Sequence, residues 1–174
     1  MASATALIRP ANSADLDAVV AFHVRLWRET YRTMAPEAAY DALDEARRRP
    51  SWQASLSQPK LGQQTWIAER QGEVVGLVAF GPASHEVFGD AGEIKHLYVD
   101  SKARRTGLGR KLAALAFAEL AKSGFDRAAL AVVRDNHTAI RFYEAMGGRK
   151  IGAYTDPGPM WRSENLAYGW EIGE

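Results

Sequence analysis

The residues best suited to chemistry fall into three short stretches. The first reads Val99-Asp100-Ser101-Lys102-Ala103-Arg104-Arg105-Thr106-Gly107-Leu108-Gly109. An apolar run (Ile94, Leu97, Tyr98, Val99) leads into it, and an apolar-periodic segment follows Gly107 and Gly109. A strand, a basic glycine loop and a helix in that order gather unpaired backbone N–H groups at a helix N-terminus, where the dipole also favours anions. That is a site for a phosphorylated ligand. Glycine pairs also serve strand-to-helix turns for purely steric reasons. Two stricter phosphate motifs are excluded. A dinucleotide fingerprint needs a third glycine where Leu112 stands, and a Walker loop needs Gly-Lys-Ser/Thr, which is absent. The second stretch is Asn136 to Tyr143, seven residues or two helical turns apart, which puts amide and phenol on one helix face. The third is Glu93 to His96, a carboxylate and an imidazole on the apolar run itself.

The elements that must position these groups are legible from periodicity. A short strand over residues 5–9 ends at Pro10. Ser13 or Asp15 is suited to cap a helix carrying Leu16, Val19, Val20, His23 and Leu26, with Trp27 and Tyr31 continuing the pattern. Pro36 restarts a helix and Pro50 is expected to break it, with another turn over 51–57. Arg47, Arg48 and Arg49 then read as a solvated helix end. Thr65–Glu69 and Val74–Phe80 flank a Gln71-Gly72 hairpin turn. Residues 82–91 are a loop, 92–99 a strand, 107–122 a helix, 127–133 a buried strand and 136–146 a helix. Strands over 149–154 and 164–172 enclose a loop with Pro157 and Pro159. This order implies an α/β fold, a mixed sheet with helices on both faces.

One irregularity is predicted. A regular strand would put Ile94 and Leu97 on opposite faces, yet both are apolar among charged or polar neighbours. A bulge near Lys95-His96 resets the parity, and a strand buried on both faces is the alternative.

Composition narrows the function. The chain has 174 residues, which predicts one domain, and a net charge of +1, so no global field pulls it to nucleic acid or an acidic membrane. With no cysteine, thiol catalysis and disulfides are excluded. No signal peptide or membrane span is seen, and a cytoplasmic location is the simpler expectation. His23 and His85 lack neighbours at ligand spacing, so no metal is expected.

Arg-x-x-Gly-x-Gly after Leu97-Tyr98-Val99 resembles motif A of the GCN5-related N-acetyltransferases, and Asn136 to Gly148 resembles that family's second signature. The resemblance covers about residues 64–153. It implies the family fold, a mostly antiparallel sheet of about seven strands splayed at its centre. Residues 1–62 would supply a strand and acceptor-side helices, 63–153 the acetyl-CoA core, and 154–174 a closing loop and strand. It implies acetyl-CoA as co-substrate, gripped at its pyrophosphate by the loop of Arg104, Arg105, Thr106, Gly107, Leu108, Gly109 and Arg110, with glycine admitting close phosphate approach. The backbone of Leu97, Tyr98 and Val99 would pair with the pantetheine amides like an added strand.

The implied reaction moves an acetyl group to a primary amine of a small molecule or peptide by direct attack. An alkyl ammonium titrates near ~10.4, so a base must take its proton, and the leaving thiolate profits from an acid. Tyr143 is the candidate acid, Asn136 orients pantetheine or a water, and Glu93 or His96 is the candidate base. Trp27, Tyr31 and Trp161, with Trp52 and Met160 in the same segments, are candidates to line the amine pocket. The rival function is an acyl-CoA-binding sensor without turnover. An exposed sheet edge and an apolar C-terminal strand allow a homodimer.

Overall fold

The computed structural model describes residues 5–173. In chain order they form β1 (Leu7–Pro10), α1 (Leu16–Tyr31), α2 (Glu37–Ala42), α3 (Glu45–Ser57), β2 (Gln64–Arg70), β3 (Glu73–Pro82), β4 (Gly92–Val99), α4 (Leu108–Lys122), β5 (Arg127–Val133), α5 (His137–Ala145), β6 (Arg149–Thr155) and β7 (Glu164–Glu171). The strands make one sheet in the order β1-β2-β3-β4-β5-β7-β6. All neighbours are antiparallel except β4 and β5.

Local chemistry explains most boundaries. Asn12, rather than Ser13 or Asp15, caps the turn that leads into α1. Its side chain accepts from Ala14 N at 2.9 Å, and Asp15 returns the favour to Asn12 N at 2.8 Å. Arg9 then clasps both Asp15 and Glu69, fixing β1 to the start of α1. Gln71 and Gly72 both have positive φ, 54° and 80°, the backbone of a tight type I′ hairpin.

The expectation that Pro50 breaks the second helix is corrected. Pro50 lies inside α3, which runs on to Ser57. Asp44 caps this helix through Arg47 N at 2.7 Å, and its buried residues Trp52 and Leu56 lie beyond the proline. A mid-helix proline costs about 3 kcal/mol, and burying two large apolar side chains returns about 1.5–3 kcal/mol each.

Two apolar layers flank the sheet. Val20, Leu26, Trp52 and Leu56 of α1 and α3 cover Ile67, Leu77 and Ala79 on one face. Leu108, Leu112, Ala116 and Leu120 of α4 cover Ala68, Val78, Phe80 and Ile94 on the other, where Ile140, Tyr143 and Met146 of the α5 segment also pack. Gly92 lets α4 approach: a Cβ there would stand 2.5 Å from Leu120.

The predicted bulge is present. Ala79 pairs with His96 but Phe80 pairs with Ile94, so Lys95 is the extra residue, and it is exposed. The shift puts Ile94 and Leu97 against the same core. β4 and β5 pair only through Gly92–Ala128 and Glu93–Ala129. β5 instead runs along β7 for all seven of its residues. Past Glu93 the sheet therefore opens. Because β7 inserts between β5 and β6, the apolar C-terminal strand is interior and β6 forms the edge.

Gly148, just before β6, lies under Trp170. A Cβ there would meet the Trp170 ring at 2.5 Å and the Tyr143 carbonyl at 2.8 Å. Gly148→Ala should cost ~1–3 kcal/mol and lower the thermal midpoint by roughly 3–10 °C. An unchanged midpoint would contradict this packing.

Candidate active site

The loop after β4 is built on Asp100. Its N–H donates to Val75 O at 2.9 Å, and its carboxylate accepts from Lys102 N at 2.9 Å and from the Arg25 guanidinium at 2.8 Å. One buried aspartate thus ties β3, through its backbone, to the loop and α1, through its carboxylate. The sequence reading passed over it; an aspartate closing an apolar strand two residues before a turn donor was the available signal.

The loop itself winds through positive-φ positions at Arg105 (60°) and Gly107 (82°). Such turns aim successive amides to one side, a nest for an anion. No side chain caps the first turn of α4. The two glycines do different work. Gly107 has open space where a Cβ would lie, so its need is conformational. A Cβ on Gly109 would stand 3.2 Å from the Phe142 ring, so Gly109 also admits α5. Two of the basic side chains are also engaged. Arg104 donates to Val99 O at 3.2 Å, and Arg110 to Ala145 O at 3.4 Å.

Along β4 the ladder decides which amides are available. Since Asp100 bonds Val75 across β3, antiparallel alternation commits Tyr98 to β3 as well and turns the backbone groups of Leu97 and Val99 toward β5. There β5 has already diverged. Of the three residues expected to pair with a ligand, Leu97 and Val99 present their N–H groups to the opening and Tyr98 does not.

What Tyr98 contributes is its ring. It packs with the cluster on the α1 side, whereas Tyr143 packs with the cluster on the α4 side. Yet Tyr98, Tyr143 and Tyr31 influence one another electrostatically, and Tyr31 also meets Asn136. Tyr98 itself lies on the part of β4 that has no β5 partner. Burial pushes all three phenols above their ordinary values, Tyr98 furthest, so each is a neutral donor at pH 7. Asn136 caps α5 by accepting from Ala139 N at 3.3 Å.

The two candidate bases part company. Glu93 is buried, and its carboxylate accepts from Ser84 N at 2.9 Å and Ser84 Oγ at 3.0 Å, clamping the 82–91 loop. His96 lies in a ring cluster with His23 (4.6 Å), Trp52 (5.2 Å) and Tyr98 (6.3 Å). His23 Nδ1 accepts from the Trp52 indole at 2.8 Å. Trp52 is therefore core, and its proposed place in the pocket is corrected. Trp27, Tyr31 and Trp161 do come together, with ring centroids 5.2 to 6.3 Å apart. They line a cavity of about 380 Å³ with Met160, Arg47, Arg48 and the β5 residues Ala131 and Val133.

Residues 23–148 match the sequence pattern of the Acetyltransferase (GNAT) family. The chain belongs to that family. It is an acetyl-CoA-dependent N-acetyltransferase. It is 27% identical to the uncharacterized N-acetyltransferase YuaI of Bacillus subtilis, over 94% of this chain and 91% of that one. It is 33% identical to an uncharacterized N-acetyltransferase of Archaeoglobus fulgidus, over 82% and 92%. Among solved structures it resembles yncA of Salmonella typhimurium, determined with acetyl-CoA, at a TM-score of 0.71 and 22% identity, covering 98% and 96% of the two chains. This last likeness supports the GNAT fold. Among the described residues no helix is long and apolar enough to cross a membrane, and no group of side chains is arranged to hold a metal ion.

In this acetyltransferase the histidine cluster makes stability depend on pH. Burial, with the Arg48 and Lys95 charges nearby, lowers His96 from 6.5 to about 4, and burial lowers His23 further. The unfolded chain then binds protons that the folded chain refuses, so stability rises with pH from about 4 to about 6.5 and levels above. The urea midpoint should fall between pH 6.5 and pH 5, and His96→Asn should shrink that fall. A midpoint constant over that window would contradict the buried, neutral imidazoles.

Proposed function

We propose that the opening between β4 and β5 seats the acyl arm of acetyl-CoA and that the cavity on the α1 side admits a primary amine of a small molecule or peptide. The carrying observation is that β4 and β5 pair at only two positions and then part, beside the positive-φ turn and uncapped first turn that open α4. The residues present fit the co-substrate. The Arg105–Gly107 turn and the uncapped first turn of α4 offer main-chain donors to a diphosphate. The Leu97 N–H and C=O and the Val99 N–H offer the alternate donors and acceptor that an extended amide chain needs, while the Val99 C=O already accepts from Arg104.

Acetyl-CoA supplies a thioester whose carbonyl carbon takes the amine nitrogen as the C–S bond breaks. The Leu97 N–H of the β4 edge donates to the carbonyl oxygen as it gains charge. Tyr143, neutral and half-buried, donates its proton to the departing sulfur. Trp27, Tyr31 and Trp161 give the amine an apolar wall. His96 rather than Glu93 shares the acceptor side with Tyr98, but at about 4 it is too weak to hold the amine's proton. It serves as a neutral acceptor in relaying that proton to water. The acyl-CoA sensor has no use for a phenol in the opening, and the transferase reading stands.

Tyr143→Phe should lower kcat by about a hundredfold or more while leaving the Kd for coenzyme A nearly unchanged. Turnover equal to the parent would remove Tyr143 from the acid role. Gly107→Glu puts a side chain at φ 82° and a negative charge into the nest. It should weaken coenzyme A binding by about a hundredfold, roughly 2.7 kcal/mol, in a calorimetric titration. Unweakened binding would place the diphosphate elsewhere.

A further inference from the structure

Of the three arginines that open α3, two are accounted for. Arg47 is exposed where it too lines the cavity, and Arg49 pairs with Asp17. Arg48 turns inward instead of joining the solvated helix end that the sequence suggests. Its Nε is buried and makes no hydrogen bond, and among the described residues no carboxylate forms an ion pair with its guanidinium. Burial works against its charge. Asp156 lines the same cavity, but its Oδ1 accepts from Gly158 N at 2.9 Å. A guanidinium held this way is costly unless something else supplies the anion.

The position of Arg48 says where that anion would come from. It lines the cavity beside Trp27, Tyr31 and Trp161, and its charge reaches Tyr98 and His96 at the opening. A planar fork of donors over an aromatic-walled pocket suits a carboxylate. We infer that Arg48 recognises a carboxylate on the acceptor, so that the amine acetylated here belongs to an amino acid or a similar zwitterion with an apolar side chain. The carboxylate meets Arg48, the side chain lies against the aromatic wall, and the amine is left near the phenols. This inference rests on the cavity being the acceptor site of the transferase proposed above.

The test uses matched pairs: apolar and aromatic amino acids, each beside its carboxamide, with acetyl-CoA as donor. The carboxamide keeps the amine and the side chain and has more free base at neutral pH, so a preference for the acid cannot come from amine basicity. The parent enzyme should favour the acid by about tenfold to a hundredfold in kcat/KM for at least one pair. Arg48→Lys should keep part of the preference and Arg48→Gln should erase it. Calorimetric titration of the same acids into the coenzyme A complex reads recognition without turnover, and should show the same order. Equal or better use of the carboxamides throughout, no binding of any acid, or a preference surviving in Arg48→Gln would overturn the inference. Arg48-dependent binding without N-acetylated product would uphold carboxylate recognition and overturn the assignment of the cavity as the acceptor site. Product formed with no dependence on Arg48 would overturn carboxylate recognition and leave the transferase assignment standing.

Discussion

A backbone amide inside a protein needs a partner, and in this sheet two neighbouring strands stop supplying partners to each other. The cause is one surplus residue, Lys95, in β4. It bends the strand, resets which side chains face α4, and lets β5 swing away after two residue pairs. Leu97 and Val99 are left with N–H and C=O groups aimed at a space rather than a strand. The nest after β4, the phenols and the cavity all take their meaning from that space.

Holding a sheet open requires support from both sides. β5 is kept in place by its full ladder with β7, and β4 by its ladder with β3. Asp100 pins the far end of β4 to α1 through Arg25, so the strand edge, the loop and the helix that carries Trp27 and Tyr31 are one rigid frame. From the other side Phe142 seats α5 against Gly109, which fixes how closely α5 approaches the start of α4. A rigid frame of this kind allows donors to be placed before the charge they stabilise appears.

Much of this was readable in the residues. The parity clash between Ile94 and Leu97 announced the bulge, and the Gln71-Gly72 pair announced its hairpin. Local rules sufficed there because the cause lies within a few residues. Reading failed where the cause is distant. Pro50 sits inside a helix because Trp52 and Leu56, beyond it, find a sheet to bury against. Gly109 answers to Phe142, thirty-three positions away. Arg48 was lost in a basic run because nothing local says which of three arginines turns inward. Tyr98 looked like one more link in a ligand-binding edge, and only the pairing of Asp100 with Val75 shows that its backbone is committed and its ring is the useful part.

Amide hydrogen exchange along β4, measured by NMR with and without saturating coenzyme A, bears most directly on the opening. Exchange at Leu97 and Val99 should slow sharply on binding, while Tyr98 between them, already bonded to β3, should change little. Saturation of the protein with coenzyme A and no slowing at Leu97 or Val99 would mean that the ligand does not complete this edge, and the proposed site would be wrong.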